Sequence, residues 1–451
     1  PQFHFVDLAH SFMAGELHTD TPKQRANKVE DDDPPGYRDA IARSREAGGW
    51  NDWAALRTLT MVDGTVLTGR FPWADSDGER SRTFHTLDGE AWQVDVRKDL
   101  RADCDGLPGK RCDVTTHYVS FPPGPALVML PFAAIWGYDT NDVVITILFG
   151  GLNALLLFLF LQLLVSRGHT RRSREDNIWL TLMFALGSVA FFVSVRGEVW
   201  FTALVFGVTV NLGFMLAALD MRRPVIAGLL LGLGMATRTP LAFCFVFFAW
   251  QLFFPGGQWR RGRWKEIFTQ GTLFAIPVVA VGVALMAYNH ARFGQPFEFG
   301  HSLLSGGAGA RIRDHGLFNT WYLNANLSAA LVNLPRLMPE APFVNISKHG
   351  LSLLFTTPAL LLLARPKVHA PLGAALWATV FAAAVPGLLY QNTGWEQFGY
   401  RFSMDYFPYL IALVACGGRE VTRRVKAVII FGVLVNLFGA ITFGRFSELY
   451  Y

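Results

Sequence analysis

The sequence predicts a polytopic α-helical membrane protein carrying a small β-containing insertion on one aqueous face. Three observations carry that prediction. Of the 451 residues, 51% are hydrophobic and 14% aromatic, too apolar for a soluble enzyme of this length. The excess lies after residue 124, where apolar runs alternate with short Lys/Arg clusters. Between the polar and apolar parts stands Tyr118–Pro131, reading YVSFPPGPALVMLP. Pro122, Pro123 and Pro125 lack an N–H and fix φ, so the chain comes down extended and then enters a short apolar helix ending near Gly137.

The elements follow in chain order. Residues 1–56 read as a first outer loop. Within it, 1–17 form an amphipathic helix with Phe5, Leu8, Ala9, Phe12 and Met13 at helical spacing and Gly15 at its end. Residues 50–56 (WNDWAAL) are an aromatic patch. Residues 57–116 read as a β-rich insertion, with Asp63-Gly64 and Asp88-Gly89 as hairpin turns between alternating runs. Cys104 and Cys112 bracket a short turn there and can pair if the region faces an oxidising compartment, while Cys244 and Cys416 are packing residues in apolar runs. Residues 117–289 are membrane helices, 290–349 a second large outer loop, and 350–451 the C-terminal membrane helices.

Charge fixes the count. Basic loops at Arg167–Arg174, Arg222–Arg223, Arg260–Lys265, Arg365–Lys367 and Arg419–Lys426 are assigned to the cytoplasm. The apolar run 225–254 would put its two basic flanks on opposite sides as one helix. As two short helices turning at Arg238-Thr239-Pro240 it keeps both inside. This gives about ten membrane segments, with a further one expected before Pro1. The basic loops leave no room for a nucleotide-binding domain, and no GxxxxGK[ST] loop occurs. Chemistry is therefore expected on the outer side. The charge of +5 reads as loop bias, and nucleic acid is not an expected partner. No broken-helix pair stands out in matching halves, which argues against a secondary transporter.

Arg238 is the sole charge in AGLLLGLGMATRTPLAF and is expected at a turn near the outer surface. Arg292 follows one span and Arg401 precedes another, both on the outer face. Three such guanidiniums suit an anionic lipid head group, with salt bridges to Asp405 or Glu298 as the structural alternative. Asp7, Asp52, Asp113, Glu198 and Glu396 are the outer carboxylates that could act as general base for an acceptor hydroxyl. His4, His10, His18, His117 and His301 show no tight metal-ligand spacing, so no metal ligand is assigned, although a divalent metal stays open.

Four motifs in order, YVSFPPGPALVMLPF, AGLLLGLGMATRTP, YNHARFGQPFEFGH and FGYRFSMDYFPYL, resemble the bacterial C-type integral-membrane glycosyltransferases. These include the protein O-mannosyltransferase-like and aminoarabinose-transferase-like enzymes. The likeness covers residues 1–20 and 117–444; the insertion lies outside the common pattern. It implies a multi-pass protein of the bacterial inner membrane with its site facing the periplasm. It also implies a polyprenyl-phosphate-linked sugar donor and a protein, lipid or glycan acceptor. The family's catalytic acid falls at or before Pro1. Within the chain Asp52, in NDWA, is the better candidate and Asp7, at a later helical position, the second. Arg238, Arg292 and Arg401 match basic positions near the donor phosphate, Arg401 most firmly, and His117, Tyr118 and Glu396 are expected at the donor or acceptor pocket. A flippase of a lipid-linked sugar, or a surface-polysaccharide ligase or polymerase, are the competing readings.

Overall fold

The computed structural model describes residues 4–20, 53–71, 81–259, 262–304, 311–312 and 314–450. The chain divides into two units. The first comprises Pro1–Thr140 with Val283–Leu317, the second Asn141–Gly282 with Phe318–Tyr451.

In the first unit, helix α1 (His4–Met13) buries Phe5, Val6, Leu8 and Ala9 and packs on helix α2 (Gly124–Trp136). Gly15, at φ +76°, ends α1, as a residue without Cβ can. Helix α2 begins directly after Pro122 and Pro123, carries Pro125 in its first turn and stops at Gly137. Between them lie five strands: β1 (Trp53–Thr60), β2 (Val66–Arg70), β3 (Ser81–Thr86), β4 (Ala91–Asp95) and β5 (Asp113–Val119). They form one antiparallel sheet in the order β4-β3-β2-β1-β5. Asp63-Gly64 turns β1 into β2, with the Thr65 amide donating to the Asp63 carboxylate, and Asp88-Gly89 turns β3 into β4. Leu59, Leu67, Phe84, Val94 and Leu100 fill the sheet's core. The strands begin at Trp53 and end at Val119, wider at both ends than the expected 57–116. Cys104 and Cys112 are joined by a disulfide.

The second unit is helical. It contains α3 (Asp142–Ser166), α4 (Arg174–Ala185), α5 (Val189–Ser194), α6 (Val199–Ala218), α7 (Pro224–Thr237) and α8 (Phe245–Phe253). Helix α9 (Trp264–Phe293) belongs to it as far as Gly282. Then come α10 (Leu323–Leu327), α11 (Leu353–Thr356), α12 (Leu372–Leu389), α13 (Phe407–Cys416) and α14 (Arg423–Thr442). Among the described residues five helices are long and apolar enough to cross a membrane: α3, α6, α9, α12 and α14. The other apolar helices among the described residues are shorter. Helices α4 and α5 are parted at Gly187-Ser188, the run 225–254 breaks at Arg238, and α11 is followed by a 3₁₀ turn, Pro358–Ala364.

Two features position the site. The basic loops gather at one end of this unit: Arg172 donates to the carbonyls of Val414, Ala415 and Arg419, Lys426 pairs with Glu175, and the Lys367 amide meets the Gly417 carbonyl. Helix α7 lies very close to α9, because Gly228 faces the Phe274 carbonyl and Gly232 faces Val281. Small residues four apart let membrane helices approach this way.

Candidate functional site

In the first unit the side chains of interest surround the C-terminal end of α9. Arg292 is 4% exposed; its Nη1 donates to the Val119 carbonyl (2.9 Å) and its Nη2 to Asn289 Oδ1 (2.9 Å). Its guanidinium lies 4.0 Å from the Tyr288 ring centroid and 4.5 Å from that of Phe293. Tyr288 meets Phe12 of α1 edge-on, and Tyr118 of β5 meets Phe293. Burial pushes the Tyr118 phenol up against the opposing pull of Arg292. Asp7 is buried on α1, where His4 stacks on Trp53 and His10 on Tyr138. His117 pairs across the sheet with Ala55, and its carbonyl accepts from the Thr19 amide. Burial and Arg57 depress its imidazole, partly offset by Asp20. Asp52 lies outside the described residues.

In the second unit Arg238 closes α7 with extended backbone (φ −150°, ψ 120°) before Pro240 starts the 3₁₀ turn Thr239–Cys244. Its Nε and Nη2 donate to the two carboxylate oxygens of Asp405 at 2.7 and 2.9 Å. Asp405 is buried and Arg238 nearly so, at 5% and 11% side-chain exposure. The anionic partner the sequence asked for is therefore present in the chain. Arg238 Cδ is 3.1 Å from a Cβ built on Gly207, midway along α6. The fourteen residues of α7 rise about 21 Å, short of a ~30 Å hydrocarbon core.

Asp405 ends a 3₁₀ turn, Arg401–Asp405, that leads into α13. Its carbonyl accepts from Asn211 Nδ2 (3.0 Å), and Asn211 Oδ1 accepts from the Tyr409 hydroxyl (2.7 Å). At the turn's other end, Arg401 is 4% exposed. Its guanidinium faces the rings of Trp200, Phe201 and Phe402, and its Nη1 donates to the Glu396 carbonyl (3.3 Å). The Arg401 amide donates to Gln397 Oε1 (3.0 Å), while Gln397 Nε2 reaches the carbonyls of His349 (2.9 Å) and Thr393 (2.8 Å).

The structure thus brings Arg238 together with Asp405 and puts Arg401 on the same turn. Glu396 is half-buried beside that turn with Lys348 at 3.6 Å. Glu198 is committed to Arg196 (2.5 Å), and Asp113 stands 3.4 Å from Arg57. Asn211, Gln397 and Tyr409 were missed; Asn211 was legible as the sole side-chain amide in the apolar stretch that forms α6. A cavity of about 180 Å³ at the basic end, lined by His169, Asp220, Trp250 and Gln251 among others, holds none of the expected site residues. Among the described residues no three His, Cys, Asp or Glu side chains gather as metal ligands.

No curated protein and no solved structure matches the chain. Residues 118–332, just under half of it, match the model of Glycosyltransferase family 87, a membrane family of the GT-C type, and this match supports a membrane glycosyltransferase.

Proposed function

We propose that the protein moves a hexose or pentose from a polyprenyl-phosphate carrier to an acceptor hydroxyl or amine on the periplasmic face of the bacterial inner membrane. The family match over residues 118–332 carries this reading. The carrier's tail confines the donor beside the protein, which replaces a diffusive encounter with a local one. A carboxylate, Asp52 or Asp7, accepts the acceptor's proton as the acceptor attacks the anomeric carbon. The bond from that carbon to the phosphate oxygen breaks, and polyprenyl phosphate leaves with the electron pair. Buried guanidiniums, Arg401 foremost and Arg292 in its own unit, are the groups suited to the charge that grows on the phosphate. His117, Tyr118 and Glu396 are proposed pocket residues. An acceptor of protein, lipid or glycan type is compatible with all of these roles.

The half-length helices α7 and α13 give the flippase reading one observation of its own, since discontinuous helices mark many transporters. Proteoliposomes loaded with radiolabelled polyprenyl-phosphate sugar and offered a glycan, peptide or lipid acceptor separate the two. Label appearing in the acceptor, lost in Arg401→Ala and in one of Asp52→Asn or Asp7→Asn, supports transfer. Label that crosses the bilayer while still on its carrier, with none in any acceptor, refutes it.

A further inference from the structure

We infer that Arg238 is a positioning residue: through Asp405 it clamps one end of the Arg401–Asp405 turn, Gln397 clamps the other, and together they fix where the Arg401 guanidinium stands. The task assigned to Arg401 rests on the transfer reading above; the clamp itself rests on geometry.

The turn is five residues long. At its far end Asp405 is held from two elements. Arg238, at the tip of the α7–α8 hairpin, binds both carboxylate oxygens, and Asn211 of α6, itself held by Tyr409 of α13, binds the carbonyl. At its near end Gln397, fully buried, accepts from the Arg401 amide and donates to two carbonyls. Gly350 and Gly394 leave it room, since a Cβ on either would fall within 3.0 Å of it. Between the clamps Arg401 has little freedom to drift. An apolar pair could join the hairpin tip to the turn without desolvating two charges. What the fork-to-carboxylate contact adds is direction, because two parallel hydrogen bonds fix the plane of the carboxylate. A guanidinium already spent in this way is poorly placed to bind a donor phosphate directly.

The test uses the whole protein in nanodiscs and the double variant Arg238→Met/Asp405→Leu, which removes both charges and keeps apolar bulk. Hydrogen exchange over the 397–406 segment is measured by mass spectrometry, beside kcat and KM for a polyprenyl-phosphate sugar. The clamp predicts a folded protein whose turn exchanges at least tenfold faster, with donor KM raised at least tenfold and kcat lowered less. Wild-type exchange overturns it, and wild-type exchange with a raised KM assigns Arg238 to direct phosphate contact instead. If the double variant does not fold, Arg238→Lys, which keeps charge and loses the fork, is read by the same two criteria. If wild-type protein transfers no sugar, the transfer reading fails and the exchange comparison still decides the clamp.

Discussion

Gly228→Ala is expected to separate α7 from α9. A Cβ at Gly228 would stand 2.0 Å from the Phe274 carbonyl oxygen, 2.7 Å from Pro277 Cγ and 3.0 Å from the Phe274 carbonyl carbon. The first and third of these atoms are backbone and cannot rotate aside, so the helices must part by about 1 Å or more to restore ordinary contact. One turn on, a Cβ at Gly232 would stand 2.8 Å from Val281 Cβ, so the close approach continues along the pair. Overpacking costs about 1–3 kcal/mol, and a backbone obstacle belongs at the upper end. Alanine recovers about 1 kcal/mol of helix propensity, leaving a net loss of roughly 2 kcal/mol. For a unit of this size that lowers the midpoint by roughly 4–8 °C. The assay is thermal unfolding in detergent, followed by size-exclusion chromatography of the surviving fraction. Gly151→Ala and Gly282→Ala, where a Cβ meets nothing within 4 Å, are the controls and should hold or gain stability. If Gly228→Ala melts with the controls, the close approach of α7 to α9 is refuted.

Three further outcomes are expected. Replacing Cys104 and Cys112 by Ser opens a loop with a sequence separation of 8. On loop entropy this lowers the stability of the sheet by about 2.5 kcal/mol, read as faster proteolysis between β4 and β5. Arg292→Met leaves the Val119 carbonyl and Asn289 Oδ1 without the donors they now have. Each buried acceptor so stranded costs about 1–3 kcal/mol, and a midpoint equal to wild type would count against this account. His117 has a depressed imidazole pKa, so the unfolded chain takes up its proton first as pH falls. Its effect is absent above the unfolded value of 6.5 and removes stability below it, so denaturant titrations at pH 7.5 and 5.5 should differ less in His117→Gln than in wild type.

The chemistry of turns was local and therefore legible. Pro122 and Pro123 marked the start of α2, with Pro123 already in helical dihedrals and Pro125 in the first turn instead of an extended run; Asp-Gly pairs marked two hairpins, and Pro240 removed the N–H that would have carried α7 onward. The two helical pieces on either side of Arg238, Pro224–Thr237 and Thr239–Phe253, are each shorter than a full span, as the basic flanks of that stretch required. Partners distant in sequence stayed hidden. Asp405 is 167 residues from Arg238, and no periodicity links them. The three arginines shared a reading because all flank apolar runs, yet their surroundings differ. Arg238 has a carboxylate, Arg292 two oxygens and two rings, and Arg401 a carbonyl within a ring of aromatics. Flanking position reports insertion cost, which is common to all three, whereas role depends on what the fold brings opposite each one.

Short helices that end inside a packed unit leave backbone ends and charges where water cannot satisfy them, so the chain must supply the partners. Here the compensation is double. Arg238 stands at the C-terminal end of α7, where the helix dipole favours a cation. Asp405 stands just before α13, at the end that favours an anion. The two then neutralise each other. Removing one charge undoes both arrangements, because the survivor keeps its helix end and loses its counter-ion. Asp405→Asn alone should therefore cost about 3–5 kcal/mol, the usual penalty for a stranded buried charge, while Arg238→Met/Asp405→Leu should stay near wild type. Equal losses in the single and double variants, measured by thermal unfolding in one detergent, would mean that packing and not charge balance holds the hairpin tip to α13.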